Sequence, residues 1–333
     1  DFIPNIPPEG FGYGNDQPYP PDFEKASIKV AGDTATSVKI TYLASFGATA
    51  PQGSKGAPAP AGVTKTDVRD NGLYGELYMP AHDKPMPALI VLGGSEGGID
   101  ISSRVGVTFA SQGYAVLSLA YFAEKGLPQT LEEVPLEYFD KAVEWLKKQS
   151  DINPKAIGVV GGSRGSEAAL LLASRNKDIR AVMAFAPSGI VWQGLDFNDV
   201  ANMGPAWTAG GKPLPFVIPD PASYRPNASM KPMFEKVLSE ADKRPDTVIP
   251  VEKISGPILL LSGKADALWP SADMAERVLK RLKEKGFKHS VQHLSYDGAG
   301  HLVFMGDPST PAAIAAAKAG PNPMLGGAGQ ANA

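Results

Sequence analysis

The sequence predicts an α/β fold: a mostly parallel sheet with helices on both faces, a small N-terminal β extension and a cap-like insertion. Two observations carry this. From Pro87 onward, short apolar runs alternate with amphipathic stretches, the pattern of strands and crossover helices. Within that alternation, Ala156–Val160 runs into Gly161-Gly162-Ser163-Arg164-Gly165 and then an apolar helical stretch, so that one serine stands on a sharp strand-to-helix turn.

The elements follow in order. Ala26–Val30 and Ser37–Leu43 alternate as short strands about a Gly32-Asp33 turn. Before them, the first 23 residues are crowded with proline, glycine and aromatics, the composition of an extended arm laid on a surface. Phe46–Gly62 is an Ala/Pro/Gly-rich linker, which divides an arm and β extension (1–62) from the main domain (63–333). Thr64–Arg69 and Leu73–Met79 form a hairpin about Asn71-Gly72, residues suited to positive φ. Then come strand ALIVLGG, helix Ser102–Gln112 stopped by Gly113, strand YAVLSLAY, helix Leu131–Ser150 and the strand, elbow and helix around Ser163. Strand RAVMAFAPS follows, then PILLLSG, helix Ser271–Lys285 stopped by Gly286, and strand HSVQHLSY. Residues 188–253 break the alternation: Trp192, Trp207, Phe216 and several prolines accompany a single helical stretch, Met233–Lys243. This is the expected insertion arching over the sheet.

Composition narrows the function. The 333 residues are 43% hydrophobic and 20% charged, with a net charge of -3, which gives no reason to expect nucleic acid or an anionic membrane as partner. No apolar run approaches the length of a membrane span. Zero cysteines exclude a thiol nucleophile, disulfides and thiolate metal ligands. The four histidines lack metal-site spacing. The loop Gly93-Gly94-Ser95-Glu96-Gly97-Gly98 lacks the G-K-[ST] ending of a phosphate-binding loop, and its glycines do not make G-x-G-x-x-G, so no cofactor is expected. The start at Asp1 together with the missing cysteines gives the expectation of a periplasmic or secreted protein, with the cytoplasm as alternative.

A serine at neutral pH needs a base. Of His82, His289, His293 and His301, only His301 follows the last strand in a glycine-rich turn, on the edge of the sheet where the elbow opens. Asp266, in SGKADALWPS after strand PILLL, is placed to orient it. The order Ser163, Asp266, His301 is that of the α/β-hydrolase fold. Asp273 and Glu276 are nearby but belong to the next helix. Oxyanion donors are expected from the Arg164 amide and from the glycine loop, at Ser95 or Glu96. Glu96 is either a second acid near the site or a solvated loop residue, and Glu167 is most simply a favourable charge at a helix N-terminus. Trp192, Trp207, Phe216 and Trp269 are candidates for an apolar wall around an acyl or aromatic group, or for a core within the cap.

The segments GGSRGSEAALLLAS, SGIVWQG, WTAGGKPLPF, GKADALWPSADMAE and YDGAGHL together resemble the acyl-CoA thioester hydrolase and bile acid-CoA:amino acid N-acyltransferase C-terminal domain family, close to the dienelactone hydrolases. The resemblance spans roughly 87–301 and implies that Ser163, Asp266 and His301 are the catalytic triad of an acyl-transferring enzyme. It also implies cysteine at the nucleophile position of the amino-acid transferases, so Ser163 favours hydrolysis. In two places the chain departs from the family pattern. Its N-terminal region is shorter than a full β-sandwich, and no amphipathic helix is readable after the last strand, so that edge of the sheet is expected to be covered differently or by further chain. The expected reaction is cleavage of a small-molecule carboxylic ester or thioester through an acyl-enzyme, with acyl-CoA hydrolysis or acyl transfer to an amine or alcohol as alternatives. A non-catalytic binding protein on the same scaffold is the remote alternative.

Overall fold

A computed structural model describes residues 57–303, apart from 197, 198, 200, 201, 224, 226 and 227, together with the backbone of strands β1 (Ser27–Val30) and β2 (Thr36–Lys39). These two pair antiparallel, Ser27 with Lys39 and Val30 with Thr36. The rest of the N-terminal arm, the Gly32-Asp33 turn and the C-terminal end lie outside the described residues.

The main sheet has eight strands. In chain order they are β3 (Val63–Val68), β4 (Tyr74–Pro80), β5 (Met86–Leu92), β6 (Ala115–Ala120), β8 (Ile152–Gly162), β9 (Ile179–Phe185), β12 (Ile258–Gly263) and β13 (Val291–Tyr296). They lie side by side as β13-β12-β9-β8-β5-β6-β4-β3. The six from β13 to β6 are parallel; at the far edge β4 pairs antiparallel with β6, and β3 antiparallel with β4. The β3–β4 turn carries Asn71 at φ 55° and Gly72 at φ 78°, the positive angles that Asn-Gly accepts at little cost. The turn is longer than a two-residue hairpin, since Val68 pairs with Gly75.

Central strands are buried on both faces, and their side chains alternate between two apolar layers with the period of two that a pleated strand imposes. On β5, Ala88, Ile90 and Leu92 join one layer, while Leu89 and Val91 join the other. The first layer takes helices α2 (Leu136–Lys147), α3 (Arg164–Arg175) and α5 (Ser271–Glu284), through Phe139, Leu146, Leu172, Val278 and Leu282. The second takes α1 (Asp100–Ser111), through Val105, Phe109 and Ala110.

Several bounds differ from the sequence reading. The helix expected from Leu131 starts at Leu136, because Leu131 bridges to Leu195 and the short strand β7 (Val134–Pro135) pairs parallel with β10 (Trp207–Ala209). Pro135 explains this: it removes an amide and holds Val134 extended. His289 falls outside the last strand, which begins at Val291. Residues 188–253 contain β10, β11 (Lys212–Pro213) and α4 (Lys231–Glu240), with α4 taking up most of the expected Met233–Lys243 helix.

Candidate active site

β8 ends in the elbow. Ser163 has φ 54° and ψ -122°, a region costing about 1–3 kcal/mol for a residue with a side chain. The surroundings hold it there. The Ser163 amide donates to the Phe185 carbonyl at 2.9 Å, and the Ser163 carbonyl accepts from the Ser166 amide at 2.9 Å and the Ser166 hydroxyl at 2.6 Å. A Cβ on Gly161 would run into the Gly165 carbonyl, and one on Gly165 into the Gly93 carbonyl, so both positions require glycine for space.

Three loops at the carboxyl edge of the sheet bring the sequence-predicted groups together. His301 Nε2 lies 2.9 Å from Ser163 Oγ, and His301 Nδ1 lies 3.0 Å from Asp266 Oδ2. All three are buried: Ser163 keeps 7% of its surface, His301 3% and Asp266 2%. Asp266 is itself fixed by three donors: the Leu268 amide at 3.0 Å and the Trp269 amide at 3.2 Å to Oδ1, and the Ser271 hydroxyl at 2.6 Å to Oδ2. With a carboxylate on Nδ1, the neutral imidazole carries its proton there and leaves Nε2 as acceptor for the serine. The Trp269 ring meets the His301 ring edge-on at 5.7 Å and limits its rotation.

The glycine loop after β5 closes over Ser163. A Cβ on Gly94 would lie 3.2 Å from Ser163 Cβ, so this backbone passes against the serine. Tyr121 Oη donates to the Gly93 carbonyl at 2.8 Å, and burial pushes its phenol well above the usual range. Glu96 is more engaged than a solvated loop residue. It exposes surface at the mouth, yet Oε1 accepts from the Gly94 amide at 2.7 Å and the carboxylate also meets the Glu96 amide. Burial raises its carboxyl above the usual range, against the pull of those amides and of His301. The Gly94 and Glu96 amides therefore hold the loop's own carboxylate, and Ser95 lies between them. The Arg164 amide, first in α3, has no carbonyl one turn back to bond.

Glu167 departs most from its reading. It does lie in the first turn of α3, as the reading has it, but it is wholly buried there and bonded to groups outside the helix. Glu167 Oε1 accepts from Trp207 Nε1 at 2.7 Å and from the Trp192 amide at 3.1 Å, and Oε2 lies 3.0 Å from Arg164 Nε. Arg164 also donates to the Gln193 carbonyl at 2.8 Å and the Trp192 carbonyl at 3.3 Å. Burial pushes the Glu167 carboxyl up; the Arg164 charge and the two N–H donors oppose this.

This network takes up two of the four aromatics. Trp192 and Trp207 are 0% exposed and offer no surface to a ligand. Trp207 packs on Tyr121 and Phe139, and Trp192 lies in a separate apolar cluster with Ile190, Leu238 and Trp269. Phe216 packs half-buried against the main core. Of the four, Trp269 is the one placed against the Ser163–His301–Asp266 group. The two indole N–H groups needed partners, and Glu167 on the elbow helix supplies one of them; Ser188 Oγ accepts the other, from Trp192, at 2.8 Å.

Residues 134–333 match the BAAT / acyl-CoA thioester hydrolase C-terminal family. The chain belongs to this family. Among relatives, acyl-coenzyme A amino acid N-acyltransferase 2 of Rattus norvegicus is 34% identical over 243 residues, covering 73% of this chain and 55% of the relative. Acyl-coenzyme A thioesterase 1 of Homo sapiens is 30% identical over 246 residues, again 73% of this chain and 55% of the relative. The chain thus spans about half the length of the curated relatives it matches. Among solved structures, a dienelactone hydrolase-like promiscuous phosphotriesterase from metagenomic libraries aligns with TM-score 0.46 at 14% identity, over 81% of this chain and 92% of that one. The strand order and the sites of Ser163, Asp266 and His301 after β8, β12 and β13 are those of an α/β-hydrolase. Among the described residues, no helix is long and apolar enough to cross a membrane.

Proposed function

We propose that the protein is a serine hydrolase that cleaves a carboxylic ester or thioester through an acyl-enzyme on Ser163. The single observation that carries this is the continuous relay from Ser163 Oγ through His301 to Asp266, at 2.9 and 3.0 Å, on a strained elbow. His301 Nε2 takes the serine proton as Oγ attacks the carbonyl carbon, and the imidazolium is stabilised by Asp266. The carbonyl oxygen gains negative charge, met by the Arg164 amide and the Ser95 amide, since the Glu96 amide is taken by its own carboxylate. Collapse expels the alcohol or thiol, which takes the proton from His301. Water then loses a proton to His301, attacks the acyl carbon and releases the acid, and Ser163 recovers its proton.

The family's thioesterases and N-acyltransferases share the acylation half of this scheme and differ in the acceptor. Serine at the elbow supports water as acceptor. The test is turnover of a p-nitrophenyl ester and of an acyl-CoA by wild type and Ser163→Ala. Loss of about 10⁴-fold or more in the variant is expected on every substrate that wild type cleaves. Full activity in the variant would overturn the reading. Product analysis with an added amine separates the alternatives: free acid is expected, and an amide as main product would replace hydrolysis by transfer.

A further inference from the structure

A second serine–histidine–carboxylate array lies behind the first. Ser262 Oγ is 2.7 Å from His293 Nε2, and His293 Nδ1 is 2.7 Å from Glu276 Oε1. Ser262 is on β12, His293 on β13 and Glu276 on α5, so the array fastens three elements together. Ser262 is 0% exposed and so is no nucleophile for a substrate in solution. Its meaning lies in what the two strands carry. β12 ends at Gly263, three residues before Asp266, and β13 ends at Tyr296, five before His301.

The two loops also rest on each other. The Lys264 amide donates to the Tyr296 carbonyl at 3.0 Å, and the Ala265 amide to the Ala299 carbonyl at 2.9 Å. Gly263 has no room for a Cβ because the Ala299 and Gly300 carbonyls occupy that space. A shift of β13 against β12 therefore changes the Asp266–His301 distance with little slack to absorb it. Among the described residues β13 is the edge of the main sheet and pairs with β12 alone, so the side-chain tie to β12 and α5 adds to that one backbone ladder.

We propose that His293, held between Ser262 and Glu276, is a positioning residue that sets the register of the Asp266 and His301 loops for acyl transfer. This rests on the acyl-enzyme reading of Ser163. The neutral imidazole satisfies both contacts: Nδ1–H donates to the Glu276 carboxylate and Nε2 accepts the Ser262 hydroxyl. Burial lowers the His293 pKa, which favours that neutral form, while Glu276 opposes the shift and Lys264 adds to it. Lys264 is paired with Asp297 at 2.7 Å, and Ser295 Oγ lies 3.2 Å from Ser262 Oγ. Protonation turns Nε2 into a donor, and the Ser262 hydroxyl must then swing to Ser295.

The test uses three variants on p-nitrophenyl acetate. His293→Phe fills the space and cuts both contacts; kcat is expected to fall about tenfold with KM within about twofold, since only orientation is lost. Its acid limb of kcat/KM is expected to move to lower pH, because a looser Asp266 contact stabilises the His301 imidazolium less. His293→Gln, whose amide can both donate to Glu276 and accept from Ser262, is expected to return kcat to within about twofold of wild type. Glu276→Ala changes a side chain that is 67% exposed, so folding is not at issue; a fall of about threefold in kcat is expected. Wild-type kcat and pH profile in His293→Phe, or in Glu276→Ala should the first variant not fold, would overturn the proposal. Ser163→Ala, run beside them, keeps the two failures distinct: its retained activity counts against the acyl-enzyme, and silent His293 variants count against the positioning role.

Discussion

The indole N–H of Trp207 donates to Glu167 Oε1 at 2.7 Å, which joins the cap-like segment to the helix that starts at the nucleophile. Glu167 and its partner Arg164 are both buried, so removing one charge leaves the other uncompensated where water cannot reach it. Glu167→Gln keeps the shape and an acceptor for Trp207 but abandons the Arg164 guanidinium. Equilibrium unfolding in urea is expected to show a loss of about 3 kcal/mol or more. A loss below about 1 kcal/mol would mean that the guanidinium finds enough carbonyl partners at Trp192 and Gln193 to stand alone.

Gly165→Ala tests the elbow by volume. The added methyl enters the space of the Gly93 carbonyl, which is backbone and cannot turn aside. The variant is expected to lose about 1–3 kcal/mol of stability, or to fail to fold. Where it folds, activity is expected to drop more than stability alone explains, because displacing Gly93 moves Gly94 off Ser163. Thermal melting and kcat on the same preparation separate the two effects.

Asp266→Asn removes the charge that stabilises the imidazolium and offers His301 Nδ1 a donor as readily as an acceptor. The asparagine can turn its NH2 to Nδ1 and push the imidazole proton to Nε2, where it blocks acceptance from Ser163. A fall of about 10⁴-fold in kcat is expected, with a folded protein by circular dichroism. A fall of tenfold or less would show that Ser163 is activated by some group other than the His301–Asp266 pair.

The parts of this site that were legible from the sequence are those where local backbone chemistry dictates residue type. Gly161 and Gly165 flank a serine because the turn allows nothing larger, and Asp266 and His301 follow apolar strands whose order a parallel sheet imposes. What stayed hidden depends on distant packing. Glu167 is in the first turn of α3, where an acid is ordinarily explained by the helix dipole; the available signal was that RGSEAALLLASR offers Arg164 and Glu167 three apart on a helix whose other residues, before Arg175 at its end, are small or apolar. Trp192 and Trp207 carry no mark in sequence of whether they line a pocket or fill a core. Their buried N–H groups decided it by finding partners inside. Leu131–Pro135 has helical apolar spacing, yet Glu133 turns to φ 53° and the partner strand at Trp207 holds Val134–Pro135 extended. Glu276 and His293 meet across α5 and β13, a contact that no local pattern announces.

Glu96 gives a prediction whose sign follows from charge alone. Its carboxylate bonds the Gly94 amide, and its charge is felt by His301. His301 must be neutral to accept the serine proton, so kcat/KM falls once acid protonates it. An anionic Glu96 and the His301 imidazolium attract each other. Glu96→Gln retains an oxygen for the Gly94 amide and deletes the charge, so the acid limb is expected to move to lower pH. Within that limb the variant should exceed wild type in kcat/KM by about two- to fivefold, the size of a partly screened charge interaction. Burial raises the Glu96 carboxyl, so wild type loses this charge itself as pH falls further, and the two profiles should converge at the acid end. Parallel profiles over the whole range would show that the Glu96 charge does not reach the base, and that its role is confined to holding the glycine loop.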